Sequence, residues 1–379
     1  MPTIPIRDIK IQRSENDLVA GSFGRGIFIL DDISPLRTFN KNMMSSEATM
    51  FPVKKAHWYR QSSRVGSQGD AEWIAKNPPF GANFTYFMPN KINSKKEIRR
   101  TKEKKGNTQF PGWSALEEEG RENGPSIMLV IKDSNGNVVN TIKGTNRKGF
   151  NRVNWRLNYP SKRGERLQSS TRRGFNRGGG IMVTPGTYSV TLEKRINGMH
   201  TTLQGPVNFE VVPLFEGALP RKSNQVINDF REAVIAFQQD LTSTNISLSK
   251  SLKTTNAMLR ALNKASRPTK ELFKKLNDTR ITLLNIDKEL QGNSIKDEIG
   301  ERSNPTASDG GSLGWTAFGN TYGPTDEHMR LLNRVKSQLK KVKKQLYPIV
   351  NSTLPILRNE LIKTGAPWIE GQGLIKDQL

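Results

Sequence analysis

The chain contains no cysteine and only three histidines, His57, His200 and His328. Without cysteine there can be no disulfide framework, thiolate zinc site, iron–sulfur cluster or cysteine nucleophile. The histidines stand in no paired arrangement, so we expect surface or packing roles for them and no histidine-built metal site. No apolar run approaches about 18 residues, and residues 1–20 lack an apolar core of signal-peptide length. The sequence therefore predicts neither a spanning helix nor a secretion signal.

Two sequence patterns resemble catalytic motifs, but each lacks a feature that the chemistry requires. Gly144 and Gly149 have the separation of the two glycines of a phosphate loop, but Phe150 stands where the lysine is required. Asp31 and Asp32 could suggest paired carboxylates for glycoside hydrolysis. Because adjacent strand residues point to opposite faces, these two could not flank one sugar bond, and capping of a turn or strand end is favoured. We predict no catalytic, cofactor-binding or metal-binding residue.

What the chain has in excess is positive charge. Lys plus Arg number 59 against 35 Asp plus Glu, a net charge of +24. The excess is 0 over residues 1–40, +6 over 41–124, +9 over 125–220 and +9 over 221–379. This spread favours a generally basic, solvated surface over one focused binding face. Charge alone does not choose among nucleic acid, acidic glycans and a membrane surface.

Two basic stretches are candidate polyanion-binding sites. They are Arg172, Arg173 and Arg177 in an Arg/Gly-rich interval, and Lys340, Lys341, Lys343 and Lys344 in a helical interval. In the first, arginine could hold phosphates while Phe175 stacks on an unpaired base. The alternative for that interval is a solvent-exposed loop between strands, and the alternative for the lysines is an ordinary exposed basic helix.

Period-2 runs predict β structure in the first part of the chain. We expect strands over residues 4–11, 17–22, 26–30, 83–87, 127–132, 138–142, 150–157, 186–192 and 209–212. The first three form a meander that cannot bury a core by itself. Recurring turns over 125–213 are typical of a β-sandwich, interrupted by a long loop at 161–180. The charged stretch within 91–124 suits an exposed insertion with some helix and no core of its own.

After Pro213 the apolar period changes from 2 to 3.6, which predicts helices. The first, long or broken, carries Val226, Phe230, Val234, Phe237, Leu241, Leu248, Leu252, Leu259 and Leu262; the second carries Leu272, Leu276, Leu283, Ile286 and Leu290; the third carries Leu332, Val335, Leu339, Val342 and Leu346. Pro348 and Pro355 should kink or break the third helix. Three amphipathic helices imply a small antiparallel bundle or a long hairpin with a returning arm.

Several segments carry a resemblance to a known family. The segment from Asp17 to Asp32, DLVAGSFGRGIFILDD, resembles the closing blade of sortilin-like, BNR-repeat β-propellers found in large bacterial proteins labelled glycosyl hydrolases. The similarity continues through Gly66–Asp70, Asn77–Ala82, Phe110–Trp113, Thr321–Thr325 and Gly365–Trp368. Residues 149–157 and 184–190 resemble the Ig-like domain of flagellar hook-capping proteins.

The resemblance implies a multidomain β plus α organisation. We expect a last-blade remnant of a β-propeller at 1–40 and an Ig-like β-sandwich at 41–213 with the inserted charged arm 91–124. A helical hairpin or bundle at 220–365 and a tail at 366–379 follow. No Asp-box of the Ser-x-Asp-x-Gly-x-Thr-Trp type occurs, so the blades that would carry a sugar site are not in this sequence. Residue 1 is then a truncated start or the beginning of the second piece of a split protein.

The resemblance also implies a function. We expect a non-catalytic C-terminal accessory region of a sortilin-like propeller protein, linked to glycan or protein handling in the periplasm or outside the cell. Its expected partner is the missing propeller portion or an upstream subunit, with a glycan or protein ligand and no cofactor. Two alternatives stay open: part of an active glycoside hydrolase completed by a missing propeller, and a basic nucleic-acid-binding protein.

Overall fold

The computed structural model describes residues 3–24, 26–61, 77–106, 109–162, 180–217, 219–301 and 304–373. It is 42% helical and 23% strand, which confirms the mixed β plus α class. The chain divides into two compact units, which we call the sheet unit (Met1–Pro160 and Asn176–Glu216) and the helical unit (Ser161–Phe175 and Gly217–Leu379). Residues 1–40, expected as a domain of their own, thus belong to the same unit as the strands of 41–213.

The sheet unit begins with the predicted three-stranded meander. Its strands are β1 (Ile6–Gln12), β2 (Asp17–Ser22) and β3 (Ile27–Leu30), antiparallel in the order β1-β2-β3. Asn16, in the turn between the first two strands, has φ of 59°, a left-handed conformation that asparagine tolerates. A short helix, α1 (Ser34–Thr38), follows the sheet.

Two further sheets complete the unit. One has the order β4-β6-β9, from β4 (Thr49–Met50), β6 (Ala82–Met88) and β9 (Gly149–Trp155). The other has the order β5-β11-β10-β7-β8, from β5 (Ala56–Trp58), β7 (Ser126–Asp133), β8 (Val138–Lys143), β10 (Gly186–Ile196) and β11 (Met199–Pro213). A turn at Asn197-Gly198 joins β10 to β11, with both residues at positive φ as a type I′ hairpin turn requires.

Both of these sheets contribute side chains to one hydrophobic core. Trp155 of β9 is 1% exposed, and its ring centroid lies 5.6 Å from that of Tyr188 on β10 and 6.1 Å from that of Phe209 on β11. The indole Nε1–H donates to the carbonyl oxygen of Asn158 at 2.9 Å, so the one polar atom of this side chain is satisfied. The core thus joins strands that are far apart in the sequence.

The insertion between β6 and β7 is a pair of helices, α2 (Lys95–Lys104) and α3 (Trp113–Arg121), neither of which has a buried residue. Ion pairs bridge them: Lys95 Nζ lies 2.7 Å from Glu118 Oε2, and Arg99 Nε lies 2.7 Å from Glu119 Oε1. Hydrogen bonds from these cations lower the pKa of both carboxyl groups below its ordinary value. We call this helix pair the arm.

The helical unit is built on α4 (Asn224–Leu262), α5 (Lys270–Gln291) and α8 (Asp326–Pro348). The first predicted helix is a single unbroken one of 39 residues. Apolar residues of all three helices form one buried cluster, as their 3.6 periodicity predicts. Val226 departs from this pattern and is exposed, because it lies in the first turn of α4, one position before the buried Ile227.

The connection between α5 and α8 contains α6 (Ser294–Glu298), a 3₁₀ turn at Ala307–Ser312 and α7 (Leu313–Thr316). Past α8, the predicted interruption near Pro348 takes the form of a π-helical turn at Ile349–Thr353, after which α9 (Leu354–Lys363) continues with Pro355 in its first turn. Proline lacks the N–H for the helical ladder, and widening one turn accommodates this.

Candidate functional site

The predicted lysine cluster lies on the solvent side of α8. The buried residues of this helix are Leu332, Val335, Leu339, Val342 and Leu346, so the intervening positions face outward. Lys340, Lys341, Lys343 and Lys344 are all exposed. Lys343 Nζ is held by Asp240 Oδ2 at 2.8 Å, whereas the other three make no ion pair within the described part of the chain. From His328 to Tyr347 the sequence has no acidic residue, which leaves this face strongly positive.

The second predicted cluster cannot be placed. Arg172, Arg173 and Arg177 lie outside the described residues, as do most of the predicted loop 161–180 and the Gly66–Asp70 segment. The structure therefore neither joins these arginines to the α8 lysines nor separates them.

Asp31 and Asp32 lie in the connection between β3 and α1, where the carboxylate of Asp32 accepts hydrogen bonds and both residues offer backbone carbonyl oxygens. Asp32 has φ of 50°, and its Oδ1 accepts hydrogen bonds from the N–H and the hydroxyl of Ser34. The Arg152 guanidinium donates to the carbonyl oxygens of both aspartates, at 2.9 and 3.0 Å. This bears out the expected turn-capping role of Asp32. The anchor supplied by Arg152 was missed, because nothing in the local sequence links positions about 120 apart.

Ser312 lies in a sequence that resembles a catalytic serine motif. Ser312 stands in the sequence Gly310-Gly311-Ser312-Leu313-Gly314, which has the Gly-x-Ser-x-Gly pattern of a hydrolase nucleophile elbow. That elbow requires a strand before the serine and a helix after it. Here Ser312 ends a 3₁₀ turn, and its hydroxyl donates to the carbonyl oxygen of Asp309 at 3.0 Å. No strand precedes Ser312 in the described residues 304–311, so this serine does not have the geometry of a nucleophile elbow.

Sheet β1-β2-β3 exposes apolar side chains. Directly opposed residues in antiparallel strands share a face. The register pairs Val19 with Ile29 and Gly21 with Ile27, which places Val19, Ile27 and Ile29 on one face. Ile27 is 72% exposed and Ile29 is 61% exposed. We call this side of the sheet the open face.

The opposite side of the same sheet is better covered. Ile9 pairs with Ala20 and Ile11 with Leu18, so these residues share the other face. Ala20 is fully buried and Leu18 is half-buried, although both isoleucines remain exposed. The apolar residues of the meander are therefore divided between its two faces, with Ile9 and Ile11 on one and Val19, Ile27 and Ile29 on the other.

The described residues offer little to a small ligand. A depression of about 390 Å³ is lined by Lys95, Glu118, Arg121 and Glu122 among others. Lys95 pairs with Glu118 through its side chain and donates its backbone N–H to Glu122, and Arg121 pairs with Glu117. No group of three or more His, Cys, Asp or Glu side chains able to hold a metal ion occurs among these residues. The surfaces of α8 and of β1-β2-β3 are thus the stronger candidates.

No protein-family model, curated protein or solved structure matches this chain. In the part that the structure describes, no helix is both long and apolar enough to cross a membrane. A function therefore has to be argued from the two surfaces and from the sequence resemblance.

Proposed function

We propose that this chain is the non-catalytic C-terminal accessory region of a sortilin-like, BNR-repeat β-propeller protein linked to glycan or protein handling in the periplasm or outside the cell. In this proposal β1-β2-β3 is the remnant of the last blade. The sheets built from β4 to β11 are an Ig-like sandwich similar to that of flagellar hook-capping proteins, and α4 to α9 are a helical bundle.

The observation that carries the proposal is the open face of β1-β2-β3. Burying an isoleucine side chain is favourable by about 1.5–3 kcal/mol. Covering both exposed isoleucines with a partner would therefore contribute substantially to the free energy of binding. No residue of this sheet belongs to the hydrophobic core shared by the other two sheets of the described chain. Both edge strands, β1 and β3, also lack a further strand partner there. A neighbouring blade would satisfy the face and an edge together.

The binding test uses the coding sequence immediately upstream of this one. We expect its product to contain the missing blades and to form a complex with this chain on coexpression and size-exclusion chromatography. Ile27→Ser with Ile29→Ser should weaken that complex by at least about a hundredfold, because two buried isoleucines are lost. Hydrogen exchange across residues 6–30 should also slow in the complex.

The matched control is Ile295→Ser with Ile299→Ser, which removes two comparably exposed isoleucines from the helical unit. This pair should leave the complex unchanged. An upstream product without blades, or equal effects of the two double variants, would contradict the proposal. The same purified complex, assayed on aryl glycosides and polysaccharides, tests the alternative of a glycoside hydrolase completed by the propeller.

The nucleic-acid alternative rests on the exposed lysines of α8 and has its own test. Replacing Lys340, Lys341, Lys343 and Lys344 with glutamine should lower affinity for a mixed oligonucleotide by less than about tenfold at about 150 mM salt, since the charge excess is distributed. Fluorescence anisotropy across a salt series measures this. A larger loss, with circular dichroism unchanged, would move nucleic-acid binding to first place.

A further inference from the structure

The arm ends in two exposed aromatic side chains that contact each other. Phe110 is 58% exposed and Trp113 is 75% exposed, with ring centroids 5.2 Å apart in a T-shaped arrangement. Phe110 lies in the connection from α2 to α3, and Trp113 is the first residue of α3. The aromatic pair is therefore exposed where the two helices of the arm are joined.

Only part of the positive charge of the arm is paired. Glu118 and Glu119 pair with Lys95 and Arg99 through the ion pairs described above. The exposed Lys102, Lys104 and Lys105 lie at the C-terminal end of α2, and the described chain provides no ion pair within 4 Å for any of them. Three unpaired lysines and two exposed aromatic residues thus lie within residues 102–113, around the connection from α2 to α3, and we call these five residues the arm tip.

We propose that the arm tip binds the surface of an anionic lipid bilayer. Tryptophan and phenylalanine lower their free energy at the boundary between head groups and acyl chains, where an aromatic body is apolar on one side and wet on the other. Lysines of the same segment are attracted to anionic head groups within a Debye length of the surface. The tip supplies both contributions within one exposed connection, as does a peripheral anchor that lies on a membrane.

The geometry favours a bilayer over two other anionic partners. A single-stranded nucleic acid needs ring faces on which successive bases stack, and a T-shaped pair of neighbouring rings does not offer two parallel faces. Stereospecific recognition of a phosphorylated or acidic peptide favours the bidentate fork of arginine, whereas the unpaired tip cations are lysines, which act as point charges. A fluid layer of anionic head groups needs no fixed geometry and matches this arrangement.

Cosedimentation of the full chain with vesicles tests the proposal. One vesicle is phosphatidylcholine alone and the other contains phosphatidylcholine and phosphatidylserine in about a 2:1 ratio. We expect binding to the anionic vesicles that weakens as salt is raised, and little binding to the neutral ones. Lys102→Gln, Lys104→Gln and Lys105→Gln together should weaken it about a hundredfold, at about fivefold for each lysine near the surface. Phe110→Ser with Trp113→Ser should weaken it at least about tenfold.

The matched control variant lies on α8 of the helical unit. Lys336→Gln, Lys340→Gln and Lys341→Gln with Tyr347→Ser remove the same charge and a comparably exposed aromatic side chain. This variant should retain most of the vesicle binding. Equal losses from the tip and control variants would show diffuse charge attraction and overturn the proposal, as would unchanged binding by both tip variants or no binding to the anionic vesicles. Tighter tip-dependent binding to an oligonucleotide than to vesicles would overturn it in favour of nucleic acid.

Discussion

Replacing Trp155 with alanine is expected to lower the free energy of unfolding of the sheet unit by about 3–5 kcal/mol, the usual cost of removing a large buried aromatic side chain. Trp155 is almost fully buried, and its ring meets Tyr188 and Phe209 across the shared core. The alanine would leave a cavity between two sheets that cannot collapse onto it without moving backbone. Urea denaturation followed by circular dichroism measures the loss.

Trp113→Ala is the matched control, since it removes the same side chain from a position that is 75% exposed. We expect a change within about 0.5 kcal/mol, as for most surface substitutions. Similar losses at the two tryptophans would contradict the assignment of Trp155 to the core.

Replacing Gly81 with alanine should destabilise the sheet unit by at least about 3 kcal/mol or prevent its folding. Gly81 has φ of +114°, which L residues rarely adopt, and an added Cβ would lie 2.0 Å from the carbonyl oxygen of Trp155. Both the strain and the clash involve backbone, so no side-chain rotation relieves them. Thermal melting and soluble yield measure the effect.

Gly136→Ala is the control that measures the cost of backbone strain in the absence of a steric clash. Gly136 has φ of +81° in the turn between β7 and β8, and an added Cβ would meet no atom within 4 Å. We expect a smaller loss of about 1–2 kcal/mol from the backbone conformation alone. If Gly81→Ala were no worse than Gly136→Ala, close approach of the backbone at Gly81 would not be the cause.

Elements with a long repeat were predictable from the sequence. The short apolar run within 17–22 predicted β2, and the apolar stripe of α4 predicted a helix, which runs unbroken from Asn224 to Leu262. Strands β4 and β5 were not foreseen, because two or three residues carry no period. The partner of β5 is the parallel strand β11, about 155 residues away, and only tertiary packing brings the two together.

For the basic surface of α8 as well, the sequence predicts some features and the tertiary structure determines others. Exposure of Lys340, Lys341 and Lys344 follows from the position of each lysine relative to the buried stripe of α8, which the sequence alone displays. The pairing of Lys343 with Asp240, 103 residues away, required the packed helices. Sequence therefore identified the basic helix face, and tertiary structure decided which of its charges are unpaired.

Sheet β1-β2-β3 shows most clearly that the local sequence does not determine burial. Ile27 and Ile29 lie two positions apart in a short apolar run, and local sequence determined that they form a strand with both side chains on one face. Whether that face is covered depends on what packs against it, which alternation does not encode. Tertiary structure decided that Trp155 is buried between two sheets while Ile27 and Ile29 stand in water, because burial is a property of neighbours contributed by distant parts of the chain.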